Sequence, residues 1–452
     1  MSVDEGKNGQ GIPKKLSQKL RWIGPSFIVA AAAVGSGEII NATRLGAIAG
    51  LVVLWVIFWG VFLKGFIQQE IGRYSLMTKK SITEGFADIP GPKLFGKSWF
   101  LYIFLALLAV VVLVIIAGVG GTVGGLLQSL FPSISASTWS ILTNLVILGI
   151  LLIGIYVPKW NIYSLIEKLM MLVIAGLTLI MLYIAFIALP QSDQYSYSMA
   201  DLFSGMTFQL PEGSVLMSLA VLGTIGAGVE LIFYSTWIIS KGYVKHAYVD
   251  GDSATQKKER LKAWLSVLKL DTWLGVLLTF VITLAFFITG AIILKSANTV
   301  PDGVHVVEQI SVIFTEVLGP HYYYLFMAGA FAGLFSTALA IADGAARMVV
   351  DLKREFSTRE TTSKAQFKKT YSISAIIIVF SWIIFYNFVS APTLLITVGG
   401  AALSLLFPLY GVALLYLNSQ VPKGYQMHTG VKVILVICFI LFSALWFVGE
   451  LF

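Results

Sequence analysis

Cysteine and histidine are scarce in this chain. Among its 452 residues there is one cysteine, Cys438, and there are four histidines. A single cysteine excludes a disulfide within the chain and a metal site built from several cysteines. The histidines lie in polar segments or at the ends of apolar runs, at His246, His305, His321 and His428. A histidine-built metal centre inside an apolar run is therefore not expected.

Charge is also scarce. Charged residues make up 12% of the chain, whereas soluble domains carry roughly 25%. Hydrophobic residues make up 57%, and the mean hydropathy is +0.86. This composition predicts an integral membrane protein whose main surroundings are the lipid bilayer.

Motifs of several other protein classes are absent. The N-terminal segment is polar and has no short apolar core with a cleavage site, so we expect no signal peptide. No Gly-x-x-x-x-Gly-Lys-Ser/Thr motif is present, which argues against ATP-driven pumping. No nucleophile–base pair is found at membrane depth, so we expect neither an enzyme nor a cofactor.

Apolar stretches long enough to cross a bilayer, which takes about 20 residues, recur along the chain. They predict an all-α membrane protein with about eleven transmembrane helices. The predicted spans are residues 23–49, 51–77, 99–130, 138–157, 160–189, 213–240, 263–294, 321–350, 371–390, 393–417 and 431–450.

Basic residues are concentrated in alternate connecting segments. Lys and Arg are frequent before the first span and after the second, sixth and eighth, whereas loop 190–212 has neither. The positive-inside rule then places the N-terminus in the cytoplasm and, with eleven spans, the C-terminus outside. We expect the plasma membrane, which is the inner membrane in a bacterium. The net charge of +8 reflects this topology, so no nucleic-acid partner is expected.

Two spans are interrupted at their middle. The first contains Gly35-Ser36-Gly37-Glu38, here called the first break. The sixth contains Gly226-Ala227-Gly228-Val229-Glu230, the second break. Glycine weakens a helix interior, and a carboxylate at membrane depth is costly. Paired interruptions of this kind indicate the substrate site of a transporter built from inverted repeats.

The positions of the breaks also predict the domain organisation. They lie five spans apart, and an odd number of spans gives two halves of opposite orientation. Small-residue stretches in the third and eighth spans, GVGGTVGG and AGAFAGLFST, match in character and favour close helix packing. The predicted parts are a cytoplasmic tail 1–20, a five-helix repeat 21–190, an extracellular loop 191–212, a second five-helix repeat 213–418 and an eleventh helix 419–452.

At these stretches the chain resembles a known family. The run beginning GPSFIVAAAAVGSGEIINATRLGAIAG is similar to the first two spans of the Nramp divalent-metal transporters. Further similar stretches are LPEGSVLMSLAVLGTIGAGVELIFYS in the sixth span, LKLDTW in the seventh and AGAFAGLFSTALA in the eighth. The resemblance covers most of residues 20–350. It implies the LeuT-type fold, with helices 1 and 6 broken, and transport by alternating access.

The chain departs from that family where metal binds. The family's Asp-Pro-Gly-Asn aligns with Gly35-Ser36-Gly37-Glu38, and its Met-Pro-His aligns with Ala227-Gly228-Val229, followed by Glu230. In the third span, Ile115 and Gly118 stand where the family carries acidic residues for proton movement. The resemblance therefore implies a divergent member that lacks the family's metal ligands and proton path.

The two breaks offer backbone carbonyl oxygens, half-helix N–H groups and two carboxylates. Oxygen ligands without Met, His or Cys favour a hard cation such as Mg²⁺. An organic ammonium or an amino acid fits the same pattern, and both glutamates are alternatively caps of their half-helices. The candidate substrate-binding residues are Gly35, Ser36, Gly37, Glu38, Gly226, Ala227, Gly228 and Glu230, with Glu38 and Glu230 as candidate metal ligands.

Further charged residues lie within the spans. A lysine near the middle of the second span, Lys64, requires a cavity or a partner. It is a candidate counter-charge for Glu38 or Glu230, with Glu70 as the alternative partner. The candidate gates, each with a structural ion pair as the alternative, are Asp271, Asp343 and Arg347.

The leading hypothesis is a secondary transporter of a hard divalent cation, Mg²⁺-like and with Mn²⁺ as a further candidate. A transporter of a small organic cation or amino acid is the alternative on the same scaffold. An ion channel or a membrane enzyme is less favoured, because no continuous polar pore or catalytic pair is evident. The sequence leaves the substrate, the coupling ion and the oligomeric state open.

Overall fold

The computed structural model of the chain describes residues 11–157, 162–355 and 363–451. In these residues the regular structure is helical apart from one short antiparallel hairpin, in which Lys93–Leu94 pairs with Lys97–Ser98. The all-α class expected from the sequence is confirmed. Half of the predicted N-terminal tail, residues 1–10, lies outside the described residues.

The helices follow the predicted spans closely, with short helices in the connecting segments. Those of the spans are Pro25–Ala33, Ser36–Ala42, Thr43–Ala49, Leu54–Thr78, Trp99–Leu130, Ala136–Tyr156, Ile162–Tyr183, Ile184–Ala188, Val215–Thr224, Glu230–Ser240, Ala254–Thr289, Gly290–Leu294, Tyr322–Glu355, Lys364–Val389, Pro392–Ser404, Leu406–Leu417 and Thr429–Leu451. Short helices at the ends of the spans or between them are Leu16–Leu20, Gly50–Val53, Ile82–Ala87, Leu189–Gln191, Met199–Ser204, Tyr243–Ala247, Val306–Leu318 and Asn418–Gln420.

By length and hydropathy, nine helical segments in the described part of the chain are suited to cross a membrane. One of them, Pro25–Thr78, joins the first two predicted spans in 54 residues. The sixth predicted span is divided between Val215–Thr224 and Glu230–Ser240, which are each too short to cross alone. The number of eleven crossings, the domain boundaries and the sidedness of the termini stay predictions.

Local sequence explains where several helices begin. The hydroxyl of Ser98 accepts the N–H of Phe100 at 3.2 Å, and that of Ser135 accepts the N–H of Thr138 at 3.3 Å. Each serine satisfies an amide that the first helical turn leaves free. Pro392 begins its helix at a position where no backbone N–H is needed.

Glycines bring the third, sixth and tenth spans close together. A Cβ added at Gly118 would lie 2.8 Å from the Pro392 carbonyl oxygen, closer than side chains tolerate. Next to the second break, a Cβ added at Gly223 would overlap with the backbone carbonyl oxygen of Gly400. Backbones this close pack through small residues, as is typical of membrane helices. These contacts hold the helices that surround the two breaks.

Large apolar side chains cover the outside of the helices. Leu172, Phe388 and Phe447 are 71%, 84% and 69% exposed. In water such a surface would be an interaction or aggregation site, whereas in a membrane it meets lipid. The outer face therefore fits a bilayer.

Candidate functional site

The first span is interrupted at Val34 and Gly35, where the backbone leaves the helical conformation. The helix resumes at Ser36 as a widened π-helical segment that runs to Ala42. The interruption is therefore confined to Val34 and Gly35, and the residues from Ser36 onward are helical. The carbonyl of Ala32 accepts a hydrogen bond from the Thr337 hydroxyl at 2.9 Å. A side chain at Gly35 would collide with that hydroxyl, 2.3 Å from an added Cβ.

The second break is unwound more fully. Helix Val215–Thr224 ends at an extended Ile225, and helix Glu230–Ser240 begins five residues later. Gly226 has a φ of +78°, a conformation that glycine adopts at little cost. The broken first and sixth helices expected from the sequence are thus both present.

The two breaks contact each other directly. The N–H of Gly226 donates to Oε1 of Glu38 at 3.2 Å. One helical turn further, Nδ2 of Asn41 donates to the Thr224 hydroxyl at 3.0 Å. Gly37 permits this approach, since a Cβ added there would lie 2.7 Å from the backbone carbonyl oxygen of Thr224. Asn41 and Thr224 were not among the sequence candidates, although their polar side chains in apolar spans are a usable signal.

The carboxylate of Glu38 reaches from the first break to its neighbours. The side chain is 0% exposed, and Oε1 also accepts the Thr283 hydroxyl of the seventh span at 3.2 Å. The other oxygen, Oε2, has no hydrogen-bond partner among the described residues. A buried carboxylate oxygen without a hydrogen-bond partner is energetically costly. Oε2 of Glu38 is therefore a candidate ligand atom for a bound cation.

Glu230 makes a different contact. It is 5% exposed and lies in the first turn of helix Glu230–Ser240. Its Oε2 accepts the N–H of Gly228, two residues earlier in the same break, at 2.8 Å. This contact stabilises a helix start, where backbone amides and the helix dipole favour a negative charge. In the described part of the chain, no hydrogen bond joins Glu230 to Glu38.

The ammonium of Lys64, on the second span, reaches the second break, where its hydrogen-bond partners are backbone carbonyls. Its expected role as counter-charge for Glu38 or Glu230 stays a prediction. Lys64 is 1% exposed, and its ammonium donates to the carbonyls of Gly223 at 3.3 Å, Ile225, and Ala227 at 3.1 Å. Within the described residues it forms no ion pair with a carboxylate within 4.0 Å. The physical reason is that helix Val215–Thr224 ends here, leaving carbonyl oxygens and the negative end of its dipole free. The ring of Phe407 lies 4.4 Å from the ammonium.

Glu70, the alternative partner for Lys64, is bonded elsewhere. Its Oε2 pairs with the Arg73 guanidinium at 2.5 Å. The guanidinium also donates to the Asn418 side chain at 3.1 Å and to the Tyr425 carbonyl at 2.6 Å. This pair therefore fastens the end of the second span to the segment before the last helix.

Asp271 is fully buried and holds the start of the first span. Its carboxylate accepts the N–H groups of Gly24 at 2.8 Å and Ser26 at 3.0 Å, and the Ser26 hydroxyl at 2.7 Å. The hydroxyl of Tyr234, in the second half of the sixth span, donates to it at 3.2 Å. These bonds fasten the half-helix before the first break to the sixth and seventh spans.

Asp343 and Arg347 lie away from the breaks. They pair with each other at 2.8 Å within one helix, and Asp343 also accepts the Tyr371 hydroxyl at 2.6 Å. Arg347 lines a cavity of about 340 Å³ together with Lys79, Glu84 and Asp351. This cavity lies at the side predicted to be cytoplasmic and includes no residue of either break. The structure thus does not bring this pair together with the candidate substrate-binding residues.

Arg44, in the second half of the first span, is buried and bonded to two other segments. Its guanidinium donates to the Pro301 carbonyl at 2.7 Å, to the Thr397 hydroxyl at 2.7 Å and to Asp302 at 3.0 Å. It thereby joins the first span to the loop after the seventh and to the tenth span.

Two curated relatives are each 25% identical to this chain over the aligned residues. A protein of Pasteurella multocida described as uncharacterized is 25% identical over 342 residues, which is 74% of this chain and 71% of that protein. A protein of Caldanaerobacter subterraneus subsp. tengcongensis named divalent metal cation transporter MntH is 25% identical over 295 residues. That alignment spans 64% of this chain and 62% of the relative.

A solved structure shares the fold. The manganese transporter of Eremococcus coleocola, in a mutant form, superposes with a TM-score of 0.63 at 15% identity, covering 98% of this chain and 88% of that one. At this identity the likeness shows the fold alone, and it confirms the expected LeuT-type arrangement. Residues 26–448 match the model of the family described as natural resistance-associated macrophage protein-like, Nramp. The chain therefore belongs to the Nramp family of membrane metal-ion transporters and is not an enzyme.

Proposed function

We propose that this transporter carries a hard divalent cation, with Mg²⁺ as the test ion and Mn²⁺ as a weaker one, by alternating access. The main support is Oε2 of Glu38, a buried carboxylate oxygen that has no hydrogen-bond partner among the described residues and lies at the contact between the two breaks. A divalent cation is the partner that best stabilises such an oxygen.

The chemistry of the surrounding groups supports a hard ion. Thr283 and Thr224 contribute hydroxyls, Asn41 an amide, and the breaks backbone groups. Mg²⁺ retains several waters and needs only one or two carboxylates, so a small ligand set is sufficient. The residues of the two breaks contain no sulfur or imidazole, which removes the usual basis for selecting softer metals. We assign Glu38 as the principal ligand, with Glu230 adding negative charge nearby.

The third span supports transport without the family's proton path. Ile115 is 3% exposed, and Gly118 lies against Pro392 and Ile396 of the tenth span. The tenth span packs closely against the place where the resemblance implies the family's acidic residues. Without an ionisable side chain at either position, the third span cannot relay a proton there.

Uptake into proteoliposomes tests the substrate. We expect saturable Mg²⁺ uptake that excess Mn²⁺ inhibits weakly, with no acidification of the lumen, measured with Mg²⁺-sensitive and pH-sensitive dyes. Glu212→Gln, which changes an exposed loop carboxylate, is the matched control for carboxylate variants and should transport normally. Mn²⁺ uptake at low micromolar concentration that is unaffected by excess Mg²⁺ would contradict the proposal.

A small organic ammonium is the second candidate, and the surroundings of Lys64 favour it. Backbone carbonyls and the Phe407 ring bind the Lys64 ammonium in the second break, so the surroundings tolerate an ammonium. A substrate amine would bind beside it, with Oε2 of Glu38 as its anionic partner. The same proteoliposomes distinguish the two. Inhibition of Mg²⁺ uptake by amines or amino acids, together with accumulation of the labelled compound, would favour the organic substrate.

A further inference from the structure

The ammonium of Lys64 is buried and, among the described residues, forms no salt bridge with a carboxylate within 4.0 Å, although the charges of Glu38 and Glu230 act on it from farther away. Lys64 lies on the second span and is 1% exposed, so the charge does not reach solvent. Its three hydrogen-bond partners are the carbonyl oxygens of Gly223, Ile225 and Ala227. A lysine ammonium has three N–H donors, so these carbonyls satisfy it completely.

The same carbonyl oxygens are suited to an inorganic ion. Unwound backbone in transporter helices coordinates Na⁺ through carbonyl groups, and rings of carbonyls replace the hydration shell of K⁺. Here the oxygens converge where helix Val215–Thr224 ends and its dipole is negative. An ammonium carries the same single positive charge and uses the same oxygen partners.

We propose that Lys64 is a built-in cation of the second break, filling a carbonyl site that would otherwise bind a monovalent cation such as Na⁺ or K⁺. The site is complete without a dissolved ion, so the break keeps its shape when no co-ion is present. The free oxygen of Glu38 belongs to the first break and remains available to the substrate. The inference holds whichever substrate is carried.

Thermal unfolding of the purified protein in different salts tests this. In NaCl, KCl or choline chloride of equal ionic strength, the wild type should unfold at one temperature. Lys64→Met removes the ammonium but retains a long side chain, and Na⁺ or K⁺ should raise its melting temperature over choline by about 2 °C or more. Lys64→Ala leaves space for a small alkylammonium, so methylammonium should stabilise it and tetramethylammonium should not.

Lys295→Met is the matched control. Lys295 also donates to a helix carbonyl, that of Ile48 at 2.9 Å, but it is exposed. Its loss should create no ion-specific stabilisation. The proposal is overturned if folded Lys64→Met unfolds at the same temperature in all three salts, or if the wild type shows the same Na⁺ or K⁺ effect. If neither Lys64 variant can be purified, the wild-type measurement is the test. Equal melting temperatures in the three salts support the proposal, and stabilisation by Na⁺ or K⁺ over choline overturns it.

Discussion

The two breaks have nearly the same residue pattern but different structures. The first is a short interruption followed by a widened helix, and its Glu38 reaches across to Gly226 and Thr283. The second is unwound over several residues, and its Glu230 turns back to Gly228 of its own chain segment. One break therefore presents a carboxylate to its surroundings, and the other presents backbone carbonyls.

The two breaks also differ in the charged group that each provides, although they occupy corresponding places in the two repeats. Each glutamate follows glycines at the start of a half-helix, where a negative charge is favourable. Among the described residues, a lysine satisfies the carbonyls that the preceding half-helix leaves free at the second break and not at the first. At the second break the positive charge is supplied by Lys64 itself. At the first break, Oε2 of Glu38 has no hydrogen-bond partner among the described residues.

The largest effect is expected from removing the charge at the first break. Glu38→Gln keeps the size of the side chain and its acceptor for Gly226, but it removes the negative charge that attracts a divalent cation. We expect Mg²⁺ affinity, measured by calorimetry on the purified protein, to fall by about 10- to 100-fold, equivalent to about 1.4–2.8 kcal/mol. Unchanged affinity in folded Glu38→Gln would make this glutamate a structural residue like Glu230.

An intermediate effect is expected from the half-helix before the first break. Asp271→Asn weakens several charge-assisted hydrogen bonds to Gly24 and Ser26, and we expect it to lower the free energy of unfolding by about 2 kcal/mol. Hydrogen exchange should become faster at the amides of Pro25–Ala33, while those of Glu230–Ser240 keep their wild-type rates.

Asp343→Asn is the control for this experiment, because its ion pair is partly exposed and lies within one helix. It should leave exchange at Pro25–Ala33 unchanged. Equal protection of that half-helix in Asp271→Asn and the wild type would show that the carboxylate does not hold it in place.

The fold was predictable because its signals are local. Hydropathy located the spans, and the glycine interruptions located both broken helices before any contact was known. Capping and glycine packing follow from short stretches such as Ser135 and Gly118. The family resemblance supplied the arrangement of the spans, which local patterns alone leave undetermined.

The partners within the site were less predictable, because they depend on contacts between distant spans. Lys64 was expected opposite a carboxylate, since sequence shows side-chain charges but not the carbonyls of a helix end. Asn41 and Thr283 were not predicted, because a single polar residue in an apolar helix can bond within its own helix, as Thr283 also does to the Thr279 carbonyl. Their roles appear only once the first, sixth and seventh spans are packed together.

The smallest effect is expected at the second break. Glu230→Gln removes a charge that faces the amides of its own helix start, so we expect a loss of about 1 kcal/mol in the free energy of unfolding. Mg²⁺ affinity should fall by less than about 3-fold, because the charge acts from a distance rather than as a ligand. Chemical denaturation and calorimetry on the same preparation measure both quantities.

The double variant Glu38→Gln/Glu230→Gln decides whether the two glutamates act separately. If Glu38 binds the ion and Glu230 caps a helix, their effects on affinity and stability should add, because they do not share a partner. If instead both are ligands of one ion, each single variant should lose affinity to a similar extent and the double variant little more. That second result would restore the two-carboxylate site suggested by the sequence pattern and would mean that Glu230 turns toward Glu38 when the ion binds.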